Sequence, residues 1–173
     1  MMKNIKILIY LFPVILFAAC ANDDETNEQW RKDNKEAYEK VKNDTQQTGQ
    51  QVWEALDKNH NLNGGPTDIY IKVITNGTGT EHPFQSSQVK VNYAGYFFDN
   101  PNQTFDAGGT NVTFSVDKVV RGFGTAVQHM RVGDVWEICI PYYLGYGTTN
   151  YGAIKGYSTL FFKVTLVEIT QYP

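Results

Sequence analysis

Residues 119–134, which read VVRGFGTAVQHMRVGD, give the clearest first indication of the fold. Apolar residues recur there three or four positions apart, which places them on one face of a short helix. They are Val120, Phe123, Val127 and Met130. The Gly-Phe-Gly sequence at 122–124 resembles a phosphate loop only superficially, since no Walker lysine follows and a nucleotide loop needs a βαβ unit. We therefore interpret these glycines as serving backbone shape, with Gly122 turning the chain from strand to helix.

Around this helix the hydrophobic period is two, which indicates β-strands. Five segments carry β-branched and aromatic residues: DIYIKVI (68–74), VKVNYAGYFF (89–98), NVTFSV (111–116), DVWEICI (134–140) and TLFFKVTLVEI (159–169). The pattern predicts an α+β domain in which antiparallel strands curl around the single helix. In the last segment we expect one buried face, formed by Leu160, Phe162, Val164 and Leu166. NGTG at 76–79 is interpreted as a hairpin turn.

The N-terminus has the order of a secretory signal: basic residues at 3 and 6, an apolar run over 7–17, then Ala18-Ala19-Cys20. We predict a signal peptide over 1–19 with Cys20 lipidated; the alternative is ordinary cleavage after Ala19. The chain is then exported and lipid-anchored to the cell envelope. We expect the anchor to lie in the outer membrane, with the domain either in the periplasm or on the cell surface. The protein is then expected to contact the membrane only through its lipid.

Residues 20–65 are interpreted as a helical leader and linker, and 66–173 as the folded domain. Trp30, Ala37, Tyr38 and Val41 recur at helical spacing, and VWEALD (52–57) restores a short apolar face. We predict two helices or one interrupted helix, followed by a Gly/Asn/Pro linker over 58–66. The leader is either a solvated spacer or a docking arm that forms a homodimer.

Charge and residue usage exclude several classes of function. The chain has 15 basic and 18 acidic residues, and an acidic balance disfavours nucleic acid, whose binding rests on Lys and Arg. Cys20 and Cys139 are the only cysteines, and Cys139 lies in an apolar strand, so we expect a packed thiol. His60, His82 and His129 lie apart, which disfavours a metal site, since zinc needs three or four converging ligands.

Six motifs, taken in order, carry a family resemblance: VKVNYAGYF, TFDAG, VVRGFGTAVQHMRVGD, EICIP, GYG and TLFFKVTLVEI. Together they resemble the FK506-binding protein (FKBP) family of peptidyl-prolyl cis-trans isomerases, here in a bacterial lipoprotein form. The resemblance covers residues 66–170. It implies a half-barrel of five or six antiparallel strands around one short helix, preceded by the helical leader. It also implies an isomerase of Xaa-Pro bonds that assists folding of exported proteins and needs no cofactor.

The resemblance also assigns site residues position by position. Phe123 is the floor beneath the proline ring, Val120 offers its N–H to a peptide carbonyl, and the Tyr146 hydroxyl donates to a substrate carbonyl. The catalytic set is Tyr93, Phe105, Asp106 and Tyr146, and the substrate-binding set is Val119, Val120, Phe123, Ile154, Phe162 and Phe114. Proline-containing polypeptides are the implied partners, with macrolide inhibitors as a further ligand class.

Three departures from the family pattern lead us to expect reduced activity. Phe123 stands where Trp is usual, Val112 stands where an aromatic edge is common, and AIKGYS (153–158) replaces a proline-rich turn. We expect tyrosines around that turn to rebuild the rim: Tyr142, Tyr143, Tyr151 and Tyr157. The alternative function is a catalytically weak binding or chaperone module on a lipid anchor. In a third interpretation, the helical leader carries the main function, and the domain is a structural part of an envelope assembly.

Overall fold

The structure is a computed structural model that describes residues 21–44, 53–56 and 68–172, with side chains from Glu25 onward. The predicted signal peptide, Cys20 and the 58–66 linker lie outside the described residues. Short 3₁₀ helices occur at Val116–Lys118 and Tyr142–Leu144. The remaining elements are α1 (Ala21–Asp44), β1 (Glu54–Ala55), β2 (Tyr70–Thr75), β3 (Gln88–Phe97), β4 (Asn100–Ser115), α2 (Arg121–Val127), β5 (Val135–Ile140) and β6 (Leu160–Gln171).

The strands form one sheet in the order β1-β2-β5-β6-β3-β4, and every neighbouring pair is antiparallel. The β3–β4 register shifts repeatedly between Val91 and Phe97. Such irregularities bend a sheet and increase its local twist, and they occur on the side of the sheet where Phe105 and Asp106 lie. The predicted α+β class, with antiparallel strands around one short helix, is confirmed.

The concave face of the sheet packs against α2. Phe123, Val127 and Met130 are buried as the helical spacing predicts, and they meet the buried row of β6. That row consists of Leu160, Phe162, Val164 and Leu166. Val120 is only half-buried and lies just before the helix begins.

The glycines of α2 serve close packing. A Cβ built on Gly122 would lie 2.3 Å from Ile140 Cγ2, and one on Gly124 would lie 2.7 Å from the Val116 carbonyl oxygen. Neither glycine has a positive φ. The prediction that Gly122 is needed to turn the chain is therefore wrong. Glycine is needed at this position because it lets the helix approach β5.

The expected buried face of β6 is present, and Lys163 on the opposite, convex face is exposed, but that face is also buried at Phe161. Phe161 has no exposed surface, and its ring centroid lies 5.9 Å from those of Trp53 and Tyr96. α1 covers this face through Val41 and Tyr38. Long-range packing of the leader helix onto the sheet, which strand periodicity does not encode, supplies the second cover.

Cys139 lies within this convex cluster and is fully buried, as expected of a packed thiol. Burial raises the pKa of the Cys139 thiol well above its usual range, and the nearby Asp99 adds to this effect. The thiol therefore stays protonated and is a poor nucleophile, because the thiolate is the reactive form.

The prediction of a helix over 52–57 is wrong for the described residues 53–56, which contain the short strand β1. Glu54 pairs with Ile71 in antiparallel register, and the Leu56 N–H donates to the Ile69 carbonyl at 2.8 Å. The unpaired edge of β2 offers this segment hydrogen bonds, and tertiary context of this kind overrides local helical spacing.

The prediction of a hairpin turn at 76–79 is also wrong, because β2 lies between β1 and β5 in the sheet and does not pair with β3. The Gly77 N–H donates to Asp134 Oδ1 at 2.6 Å, and the Arg131 N–H donates to the other carboxylate oxygen at 2.7 Å. Glycine is required at position 77 because a Cβ there would lie 2.3 Å from the Val132 carbonyl oxygen.

Within 21–44, 53–56 and 68–172, no helix is both long and apolar enough to cross a membrane.

Candidate active site

An aromatic cluster at the N-terminal end of α2 forms the centre of the candidate site. The Phe123 ring centroid lies 4.9 Å from that of Phe162, 5.5 Å from Phe114 and 6.2 Å from Tyr93, all in edge-to-face arrangements. Phe123 is 4% exposed, whereas Phe114 and Tyr93 are only half-buried. Edge-to-face packing of this kind stabilises ring positions beyond simple area burial.

One wall of the site is Phe105, whose ring stands perpendicular to that of Phe162 at a centroid distance of 5.4 Å. Phe105 is seated against Gly95 on β3. A Cβ on Gly95 would lie 2.6 Å from the Phe105 ring and 3.0 Å from Phe162. Gly95 is thus a shaping residue of the site that sequence reasoning missed; its position inside a strand was the available signal, since strand glycines often mark a close approach.

Asp106, which follows Phe105 in the chain, is fixed by two hydrogen bonds. The Tyr93 hydroxyl donates to Asp106 Oδ2 at 2.8 Å, and the Gly108 N–H donates to Oδ1 at 2.8 Å. Gly108 has a φ of +68°, and a Cβ there would lie 1.6 Å from the Tyr93 carbonyl oxygen. Only glycine fits this position, so the backbone that holds the carboxylate depends on it.

The phenols of the site are held in the protonated form. Burial raises the pKa of Tyr93 to about 12, and its hydrogen bond to Asp106 adds to the effect. Burial also raises the pKa of Tyr146, with smaller contributions from Tyr151 and Asp106. Both hydroxyls can therefore act as hydrogen-bond donors at neutral pH.

Tyr146 borders the flap, which we define as residues 147–159 between Tyr146 and β6. The Tyr146 ring stacks on Tyr151 at a centroid distance of 4.6 Å and an angle of 15°. Tyr151 and Ile154 exchange backbone hydrogen bonds of 2.8 and 2.9 Å, which close a tight turn through Gly152 at φ +56°. The flap thus closes without the prolines that the family pattern has there.

The expectation that tyrosines rebuild the rim fits Tyr151, which contacts a site residue. Tyr143 instead donates its hydroxyl to Asp68 Oδ2 at 2.8 Å, and Tyr157 lies beneath the guanidinium of Arg31. Tyr142 packs on Tyr157 and Tyr143. Asp68 and Arg31, the partners of Tyr143 and Tyr157, lie far from them in the chain, so the sequence order does not reveal these contacts.

The remaining candidate residues complete the enclosure. Val119 and Val120 are half-buried at the start of α2, where the Val120 carbonyl accepts the Gly124 N–H at 3.0 Å. Ile154 is 7% exposed. Ring contacts and the Tyr93–Asp106 hydrogen bond join six of the predicted site residues: Tyr93, Phe105, Asp106, Phe114, Phe123 and Phe162. The other four, Val119, Val120, Tyr146 and Ile154, belong to the same hydrophobic core. Val112 pairs with Val91 beside them.

In the part of the chain that the structure describes, no group of three or more His, Cys, Asp and Glu side chains converges that could hold a metal ion. What the site offers is an apolar, aromatic floor with a few fixed polar groups at its edge. Such an arrangement suits a small apolar ring with a polar amide beside it.

Comparison with known proteins agrees with this geometry. The family model described as FKBP-type peptidyl-prolyl cis-trans isomerase matches residues 79–167. The chain belongs to this family. Its fold agrees with the crystal structure of FkpA from Escherichia coli at a TM-score of 0.68 and 25% identity, over 89% of this chain and 67% of that one.

Two curated relatives show the extent of the sequence likeness. The FKBP-type 22 kDa peptidyl-prolyl cis-trans isomerase of Escherichia coli (strain K12) is 36% identical over 116 residues, covering 65% of this chain and 55% of that protein. The outer membrane protein MIP of Legionella longbeachae is 35% identical over 110 residues, covering 61% of this chain and 46% of that protein. The chain spans about half the length of these relatives.

Proposed function

We propose that this FKBP-type chain is a peptidyl-prolyl cis-trans isomerase that acts on Xaa-Pro bonds of exported polypeptides. The observation that carries the proposal is the aromatic floor of Phe123 and Phe162 beside the fixed Tyr93–Asp106 pair. Proline is the residue whose ring is apolar and whose preceding amide populates both isomers appreciably.

The reaction needs no bond to be broken. Rotation about an Xaa-Pro bond faces a barrier of about 18–20 kcal/mol, because the twisted amide loses its resonance. The twisted amide is less polar than the planar one, so a pocket with little water favours it. The proline ring is received by Phe123, Phe162, Val119 and Val120, and Ile154 and Phe114 complete the substrate-binding set.

Polar groups at the edge then orient the amide. The Tyr146 hydroxyl donates to a substrate carbonyl, and the Val120 N–H is offered to a neighbouring one. Phe105, Tyr93 and Asp106 line the side past which the rotating carbonyl moves. Because the Asp106 carboxylate is already held by the Tyr93 hydroxyl and the Gly108 N–H, it costs little reorganisation during the rotation.

The test is catalysed isomerisation of a short Xaa-Pro peptide by the chain from Ala21, which contains every residue that the structure describes. We expect a rate well above the uncatalysed one, reduced at least about tenfold in Asp106→Leu, a loss typical of a charged hydrogen-bond partner. Asp117→Leu, which removes an exposed carboxylate outside the site, is the matched control. No rate enhancement by the folded chain, together with measurable peptide binding, would favour the binding-module alternative instead.

We further propose that the chain is exported and anchored through lipid on Cys20, at the outer membrane. The support is the order of basic, apolar and small residues before Cys20, and a relative carries the name outer membrane protein MIP. Mass spectrometry of the mature N-terminus tests this proposal. A diacylated cysteine absent from Cys20→Ser supports it, and an unmodified N-terminus starting elsewhere contradicts it.

We also propose one further ligand class, which follows from the family, and a homodimer, which follows from the leader. Macrolide inhibitors are proposed to occupy the same pocket, so they compete with the peptide and lose affinity in Asp106→Leu. A homodimer through the leader has to use the outward face of α1, because Trp30, Tyr38 and Val41 contact the sheet of the same chain. Concentration-dependent sedimentation of the chain from Ala21 tests the dimer.

A further inference from the structure

α1 contacts the end of the flap through Asn34, which is 1% exposed. Asn34 Oδ1 accepts the Thr159 N–H at 2.8 Å, and the Thr159 hydroxyl donates to the Asn34 carbonyl at 2.9 Å. The Asn34 side-chain amide also donates to the Trp30 carbonyl at 2.8 Å. A buried, fully paired asparagine fixes the position of its partner, because leaving any of these groups unpaired is costly.

Two cation–π contacts join α1 to the same segment. The Arg31 guanidinium lies 4.0 Å from the centre of the Tyr157 ring, and Lys155 Nζ lies 5.3 Å from the centre of the Trp30 ring. Flap positions 155, 157 and 159 thus each contact α1. These three contacts hold the last residues of the flap, which include a turn at 156–157, against the helix.

The flap requires such support because its backbone is strained and lacks proline. Tyr157 has a φ of +64°, a left-handed conformation that is unfavourable for a bulky residue. Its N–H donates to the Gly147 carbonyl at 2.9 Å, which ties the two ends of the flap together. Proline would restrict the backbone directly, whereas here contacts from α1 supply the restriction.

A second path leads from α1 to the wall of the site. The Trp30 ring lies edge-on to Phe97 and Phe98 at centroid distances of 5.2 and 4.9 Å. Phe97 in turn contacts Phe105 at 4.9 Å. Residues 30–34 of α1 therefore support both the flap and the Phe105 wall.

We propose that α1 is a positioning element of the active site. Through Trp30, Arg31 and Asn34 it holds residues 155–159, and thereby it places Ile154 and the Tyr146–Tyr151 stack for the substrate. The effect on turnover rests on the proposed isomerase function, whereas the effect on the flap does not. The contacts that cover the convex face lie further along the helix, at Tyr38 and Val41, so the two roles are separable.

The test compares Arg31→Ala/Asn34→Ala with Lys35→Ala, which changes an exposed residue of the same helix. Amide hydrogen exchange is followed over 147–159 and over β5, and kcat and KM are measured on the same Xaa-Pro peptide. We expect exchange in 147–159 to rise by about tenfold or more, and β5 to stay protected. We expect kcat/KM to fall roughly five- to tenfold, mainly through KM, because the flap orients substrate.

Arg31→Ala alone keeps the buried asparagine and guards against loss of the fold; it is expected to give a smaller change of the same kind. Arg31→Lys retains a cation above Tyr157 and is expected to restore much of the wild-type KM. Unchanged flap exchange in the double variant overturns the proposal, as does faster flap exchange with an unchanged kcat/KM. If the wild type shows no turnover, the isomerase proposal fails; flap exchange and peptide affinity then decide the positioning role.

Discussion

Phe161 and Phe162 are neighbours on β6, yet they point to opposite faces of the sheet and into different surroundings. Phe161 is fully buried among Trp53, Tyr96 and the residues of α1 that cover the convex face. Phe162 lies on the concave face against Phe123 and Phe105, where several surrounding rings are only half-buried.

The difference between the two faces separates a core from a site. Both faces are rich in aromatic residues, so composition alone does not distinguish them. On the concave face, the carboxylate of Asp106 and the hydroxyl of Tyr93 stand at the edge of the rings, fixed and partly exposed. On the convex face, α1 closes over the rings. Partial exposure next to fixed polar groups is what makes an aromatic cluster able to bind a ligand.

The largest effect is expected from Phe161→Ala, which empties the centre of the convex cluster. The free energy of unfolding should fall by about 3–5 kcal/mol, the usual range for a buried phenylalanine. Urea unfolding measures this loss, and Phe161→Leu provides a milder change at the same position. Isomerase activity per folded molecule should stay close to that of the wild type. A selective loss of activity without destabilisation would contradict the division between the faces.

On the concave face, Tyr93→Phe should affect activity more than stability. It removes the hydroxyl that donates to Asp106 at 2.8 Å, and the carboxylate then loses one of its two fixed partners. We expect kcat/KM to fall by roughly tenfold, which corresponds to about 1.4 kcal/mol. Peptide isomerisation and urea unfolding, measured on the same preparation, separate the two effects. An unchanged kcat/KM would remove Tyr93 from the catalytic set.

Tyr38→Phe is the counterpart on the convex face. Its hydroxyl donates to the Asp68 carbonyl at 3.0 Å, and losing this bond should lower the free energy of unfolding by about 0.5–1.5 kcal/mol. No change in kcat/KM is expected, because the side chain lies away from the site and the flap contacts. A fall in kcat/KM as large as that of Tyr93→Phe would show that the part of the helix around Tyr38 and Val41 also acts on catalysis.

The smallest expected effect is a pH dependence at the alkaline end. The pKa of Tyr93 is raised to about 12 in the folded chain, against about 10 in an unfolded one. A raised pKa contributes stability that is complete below about pH 10 and is lost as pH rises towards 12. Urea midpoints of the wild type should therefore fall more steeply over this interval than those of Tyr93→Phe. If the urea midpoints of the two proteins fell in parallel with pH, the raised pKa of Tyr93 would be contradicted.

Much of the fold follows from the sequence because its signals are local. The alternation in β6 and the helical spacing of Phe123, Val127 and Met130 are written in short windows, and the structure has both. The site motifs follow one another in a fixed order, which made the grouping of Asp106 with Phe123 foreseeable.

The rest depends on contacts between distant parts of the chain. Phe161 is buried by α1, more than a hundred residues earlier in the chain, and no period in β6 indicates this. The two-residue strand β1 exists because β2 has a free edge there. Gly95 and Gly122 are required by the atoms that approach them from other elements. The tyrosines near the flap were visible in the sequence, but their partners on α1 were not.

The most direct test of the division between the faces is an amide chemical-shift titration of the chain from Ala21 with a short Xaa-Pro peptide. The account predicts shift changes on the concave side, at Gly95, Gly108, Val120 and the flap, with Tyr70 and Cys139 on the convex side unaffected. Changes centred on Tyr70, Cys139 and α1, with the concave residues silent, would contradict it.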